Sequence, residues 1–163
     1  MIVNKCNEKI IKGKKSIFLA GPAPGKEKVK SWRIDAIQKL KEFGFDGVVY
    51  NPEYLGEKVG VELEKEILWQ QETIEEATVI LFWVPRNKKT LPGFTTNIEF
   101  GYWLNSGKII YGRPDTAEEI GYLDFIYKQK YQKEPINNLD ELVYESIKLC
   151  EKLYLKKRKK EDY

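Results

Sequence analysis

The 163-residue sequence contains no histidine. A Ser-His-Asp triad, a Cys-His pair, an imidazole general base and a histidine metal ligand are therefore all excluded. Four serines are present, Ser16, Ser31, Ser106 and Ser146, with no imidazole to activate any of them. Cysteine is almost as scarce. Cys6 and Cys150 stand near opposite ends, so no zinc-ligand spacing exists and a structural metal is not expected. Two thiols are favoured over a Cys6–Cys150 disulfide. That cysteine usage, with no cationic and apolar leader, points to a reducing cytoplasm. No apolar run approaches the roughly 20 residues that span a bilayer, so no membrane partner is expected.

What is present suits one globular domain covering 1–163, with 42% hydrophobic and 13% aromatic residues. There are 28 basic and 25 acidic residues, a net charge of +3. The run Lys156-Lys157-Arg158-Lys159-Lys160 supplies more than that whole excess, leaving a slightly acidic body. Cations at a helix end suit the helix dipole, and a nucleic-acid reader carries its charge on a folded face. The tail therefore reads as a solvated helix end, and nucleic acid is not expected as a partner.

Along the chain, strand and helix patterns alternate. Residues 1–15 are polar and lysine-rich, a loose arm or a short edge. Strands are expected at 16–21, 47–50, 78–84 and 108–111. Helices are expected at 25–43, 57–77 and 96–105. The rest of the chain after Asp115 is expected to be helical, with a C-terminal helix over 138–163 where Leu139, Leu142, Val143, Ile147, Leu149 and Leu153 form a stripe. The unbroken apolar run at 78–84 reads as a central parallel strand buried on both faces. The alternation predicts an α/β layered fold with a mostly parallel central sheet and a C-terminal helix. Ligands then bind outside the carboxyl ends of the strands. Trp32 and Trp69, at apolar spacing on helices, are expected in the core.

Gly21-Pro-Ala-Pro-Gly25-Lys26 resembles a phosphate-binding loop but fails as one. It has three residues between its glycines instead of four, Glu27 where Ser or Thr should meet magnesium, and two prolines without N–H groups. Gly21 still lets a ligand approach the backbone closely. Glu99 is expected on the first turn of its helix, where the helix dipole would keep its carboxylate ionised. An ionised carboxylate can attack an anomeric carbon and form a covalent glycosyl intermediate. Thr96-x-x-Glu99 is equally a capping box that would occupy the same carboxylate. Arg86 and Arg113 are candidates for gripping a phosphate or carboxylate, and Trp83 and Tyr111 for stacking on a base or sugar, against ordinary surface or core roles.

Several segments occur in a telling order: Ile17-Phe-Leu-Ala-Gly-Pro22, Ser31-Trp-Arg33, Asn51-Pro-Glu53, Phe82-Trp-Val-Pro-Arg86, Phe94-Thr-Thr-Asn-Ile-Glu-Phe-Gly101 and Tyr111-Gly-Arg-Pro-Asp115. Over roughly residues 16–127 the chain resembles the nucleoside 2-deoxyribosyltransferase-like family. The resemblance implies a flavodoxin-like three-layer sandwich and cleavage of an N-glycosidic bond. It implies Glu99 as nucleophile, with the deoxyribosyl group passing to a second base. It places Gly21 and Pro22 beside the sugar. Asn97, in the matched helix start, joins Trp83, Arg86 and Arg113 as a candidate substrate-binding residue. The substrate implied is a small-molecule nucleoside or nucleotide. No cofactor is implied, and the family's members are homo-oligomers with sites completed by a neighbour.

Two departures stand out. Phe18 occupies a position where the family often has a tyrosine that orients the nucleophile. No aspartate lies between Arg86 and Glu99, where the transferases hold and protonate the base. Asp46 and Glu53 are the available substitutes. Hydrolysis of a nucleoside 5′-monophosphate, with Arg86 or Arg113 on the phosphate, and a non-catalytic nucleotide-binding module are the rival readings.

Overall fold

Strand-forming runs pair side by side in one direction. In the computed structural model, which describes residues 1–24, 29–53 and 61–161, five strands form one sheet in the order β1-β3-β2-β4-β5. They are β1 (Ile2–Lys5), β2 (Ser16–Ala20), β3 (Val48–Asn51), β4 (Val79–Trp83) and β5 (Ile109–Gly112). Every pairing is parallel. The amino-terminal segment is thus an edge strand, with Ile2 opposite Val48 and Lys5 opposite Asn51. All five residues of β2 and of β4 are buried, as expected of parallel strands covered on both faces.

The helices are α1 (Trp32–Glu42), α2 (Val61–Glu76), α3 (Phe94–Trp103), α4 (Gly121–Tyr131) and α5 (Leu139–Glu161). Alternate strand residues point to opposite faces and build two cores. Phe18, Tyr50, Ile80, Phe82 and Tyr111 pack with Trp69 of α2, Phe100 of α3 and Tyr127 of α4. Ile17, Leu19, Val49, Leu81 and Trp83 pack with Trp32 and Leu40 of α1 and Leu142 and Val143 of α5. The result is a three-layer α/β sandwich. The apolar stripe expected over the C-terminal helix supplies α5's buried side, and Trp32 and Trp69 lie in the core. Cys6 and Cys150 are buried thiols, not a disulfide. Among the described residues no helix is long and apolar enough to cross a membrane.

Two helix starts differ from expectation. The helix expected from Gly25 begins at Trp32, because Ser31 acts as its N-cap and accepts from the Arg33 N–H at 3.1 Å. Gly25 itself lies outside the described residues, as does Glu57, the expected start of the second helix. The helix expected from Thr96 begins two residues earlier, at Phe94. Its N-cap is Gly93, in the left-handed region at φ 64°, with no side-chain cap. A β-carbon on Gly93 would stand 2.8 Å from Pro22 Cγ, so the absence of a side chain lets this turn pack on the Gly21-Pro22 loop.

Candidate functional site

The chain leaves β2 and moves to one side for β3 and to the other for β4, which makes the carboxyl ends of β2 and β4 the switch point of the sheet. A cavity of about 460 Å³ opens there. Its walls come from the Gly21–Pro24 loop after β2, from Pro52 and Glu53 after β3, from Glu66 and Gln70 of α2, and from the start of α3. Gly21 is required at this rim. A β-carbon there would lie 2.0 Å from the Trp83 carbonyl oxygen, far inside contact distance.

Glu99 lies in this cavity, partly buried, on the second turn of α3. The capping box is not formed, because Thr96 is already inside the helix and is not its cap. The expected ionisation by the helix dipole is also corrected. That effect fades beyond the first turn. Burial instead pushes the Glu99 carboxyl up to about 7, and the Arg33 guanidinium opposes this only in part.

Arg33 is the best-bonded side chain of the site. It is almost wholly buried on α1. Its Nε donates to the Leu19 carbonyl at 3.0 Å, and Nη2 to the Gly21 carbonyl at 2.7 Å. Nη1 donates to the Pro22 carbonyl at 3.3 Å and to Glu53 Oε1 at 3.1 Å. Trp32 Nε1 adds a bond to the same Pro22 carbonyl at 2.9 Å. The loop after β2 is therefore held from beneath by two side chains of α1. Glu53 Oε1 also accepts from the Ser31 hydroxyl at 2.6 Å.

Of the expected binding residues, Gly21 and Pro22 line the cavity with Glu99, and four others do not. Trp83 points to the opposite face of the sheet and is buried among α1 and α5, so only its carbonyl approaches the loop. Arg86 is buried, donating to the Glu119 carbonyl at 2.8 Å and to Asn97 Oδ1. Asn97 is taken up by that bond. Arg113 is paired with Asp124 at 2.9 Å and Asp115 at 3.2 Å. Tyr111, the other stacking candidate, is a core residue whose hydroxyl donates to Asp124 at 2.8 Å. Of the two substitute acids, Glu53 is in the cavity, while Asp46 pairs with Lys15. Phe18 is a buried core ring.

The cavity therefore holds three carboxylates, Glu53, Glu66 and Glu99, and one guanidinium, among the described residues. Reading the sequence assigned no part to Arg33, Glu66, Gln70 or Thr95, and gave Thr96 only the capping role that the structure withholds. Arg33, Glu53, Thr95 and Thr96 did stand in the motifs of the resemblance. Glu66 and Gln70 had no signal beyond their helical pattern. A second cleft, of about 420 Å³, runs between α2 and α3 and shares Gln70, Thr95 and Glu99 with the first. Among the described residues no group of acidic or cysteine side chains is placed to hold a metal ion.

The family model described as nucleoside 2-deoxyribosyltransferase like matches residues 14–116. The match spans β2 to β5 and includes every residue named in the cavity. No curated protein matches the chain at a significant level.

Proposed function

From a chain that belongs to the nucleoside 2-deoxyribosyltransferase-like family, we propose a glycosyltransferase that moves a deoxyribosyl group between bases, with Glu99 as nucleophile. The supporting observation is an uncapped glutamate in the cavity at the sheet's switch point. In the first step a Glu99 carboxylate oxygen bonds to the anomeric carbon as the bond from that carbon to the base nitrogen breaks. The base leaves with the bonding electrons and takes up a proton. In the second step a nitrogen of another base attacks the same carbon, loses its proton and frees the carboxylate. Two inversions retain the configuration of the sugar. Proton uptake and release balance over the cycle.

A neutral nucleoside fits this site better than its 5′-monophosphate. Arg86 and Arg113 are committed elsewhere, and the cavity itself is rich in carboxylates. The test incubates the enzyme with a 2′-deoxynucleoside and a different free base. A new nucleoside is the expected product, formed faster than from the 5′-monophosphate. Release of base to water alone would sink the transfer reading. Binding without any release would leave a non-catalytic module.

We also infer that the working form contains at least two copies. Phe94, Ile98 and Tyr102 recur every four residues on α3 and are each more than 70% exposed. Ile67 and Leu68 of α2 add further exposed apolar surface, and Ile67, Ile98 and Tyr102 border the second cleft. A contiguous apolar stripe of this kind marks an interaction surface. Light scattering is expected to give a dimer or larger, and Ile98→Glu a monomer. A wild-type monomer at micromolar concentration would refute the inference.

A further inference from the structure

Glu53 is bonded on one side only. Its Oε1 accepts from both the Ser31 hydroxyl at 2.6 Å and Arg33 Nη1 at 3.1 Å. Among the described residues, Oε2 receives no hydrogen bond. The side chain is only 13% exposed, and what is exposed belongs to the cavity wall. Further bonds fix its position. Its own backbone N–H donates to Asn51 Oδ1 at 3.1 Å, and Arg33 is anchored on the Leu19 carbonyl of β2 and on the Gly21 and Pro22 carbonyls of the loop. A carboxylate held on one oxygen by a buried guanidinium and a hydroxyl presents its other oxygen as a fixed acceptor, with little entropy left to lose.

We propose that Glu53 is a sugar-recognition residue whose Oε2 accepts a hydrogen bond from a ribosyl hydroxyl, so that Ser31 and Arg33 act as its positioning residues. The inference rests on the reading of the cavity as a nucleoside site, and adds which part of the substrate is read and by what. A carboxylate is acceptor-only when ionised, so it selects a donor. A sugar hydroxyl is such a donor, and a phosphate is not. Hydrogen bonds to a charged acceptor are roughly twice as strong as neutral ones. A site built for a hydroxyl discriminates strongly against the analogue lacking it, because its polar group is then left unpaired. Glu66 of α2 and Glu99 of α3 face the same space, and Arg33 is the one cation there among the described residues.

The experiment measures equilibrium binding, not turnover, so that it can fail separately from the functional proposal. In a Glu99→Gln background, calorimetry compares a 2′-deoxynucleoside with its 2′,3′-dideoxy and 2′,5′-dideoxy analogues. With Glu53 intact, at least one analogue is expected to bind about 10- to 100-fold more weakly. With Glu53→Gln added, the Gln side chain still accepts from Ser31 and Arg33 but turns an amide donor towards the cavity. The discrimination is then expected to fall at least fivefold. Ser31→Ala, which loosens the carboxylate and leaves its charge, is expected to reduce it by a smaller factor. A purely structural role would weaken all three ligands equally and leave the ratios unmoved, and that result overturns the proposal. Equal binding of all three ligands to the chain with Glu53 intact also overturns it. Failure of every nucleoside to bind overturns the functional reading on which it stands.

Discussion

Replacing Glu99 by Gln is expected to abolish base exchange, by at least about 10³-fold, and at the same time to stabilise the protein at alkaline pH. The first effect follows from the loss of the attacking oxygen, since removing a covalent nucleophile commonly costs several powers of ten. The second follows from burial. The Glu99 carboxyl ordinarily titrates near 4.5 and is pushed up to about 7 in the fold. Below pH 4.5 it is protonated in both folded and unfolded chains and costs nothing. Between 4.5 and 7 the unfolded chain loses the proton first, so the fold weakens as pH rises. Above 7 the penalty is complete. A shift of this size corresponds to about 3 kcal/mol, and solvent screening of a partly exposed group reduces it to about 2 kcal/mol. Glutamine does not titrate. The variant should match the wild type near pH 4 and melt roughly 5 °C higher at pH 8. Thermal melts of both chains at the two pH values test this, and a variant that melts lower at pH 8 would show that the carboxylate is not under strain. On the proposed mechanism Glu99 attacks as the carboxylate, so the acidic limb of kcat/KM in the wild type should rise through a single ionisation near 7. A rate that falls through that pH would instead make Glu99 an acid.

The sheet was legible because its determinants are local. The runs at 16–21 and 78–84 are too apolar for any place but a doubly covered strand, and both became fully buried strands. Strand β1 was half legible, because a short edge strand flanked by lysines carries little hydrophobic signal. The start of α3 was misplaced for a tertiary reason. Gly93 turns there because Pro22, distant in sequence, packs against it. The site split along the same line. Gly21, Pro22 and Glu99 stand in ordered motifs, and each lines the cavity. Arg86 and Arg113 were drawn to the strand ends correctly, but their ligands turned out to be protein groups. The Glu119 carbonyl is 33 residues beyond Arg86, and Asp124 is 11 beyond Arg113. No local pattern announces such partners. Arg33 was hidden for the opposite reason. Next to Trp32 at the start of an amphipathic helix it reads as the polar face, whereas the loop after β2 folds back over it.

That buried arginine carries the other large expected effect. Arg33→Met should lower stability by about 3–5 kcal/mol, the usual cost of removing one partner from a buried ion pair, or roughly 10 °C in Tm. Methionine fills much of the volume, so the loss comes from polar groups. The Leu19 and Gly21 carbonyls lose their guanidinium donors, Pro22 keeps only Trp32, and Glu53 keeps only Ser31. Arg33→Lys should fall between the two, because one ammonium cannot reach acceptors spread along a planar fork. On the proposed mechanism the arginine also acts on the chemistry without touching it. Its charge is what holds the Glu99 carboxyl down against burial. Without it Glu99 faces Glu53 and Glu66 with no compensating cation among the described residues. Its titration must then move above 7, and the acidic limb of kcat/KM in any folded Arg33 variant must move to higher pH with it. A lysine variant keeps the charge, so it should recover the wild-type profile even where its Tm is depressed. Tm and pH profile therefore separate two roles of one side chain. A methionine variant with reduced Tm but an unmoved profile would leave Arg33 as a clamp on the loop and nothing more.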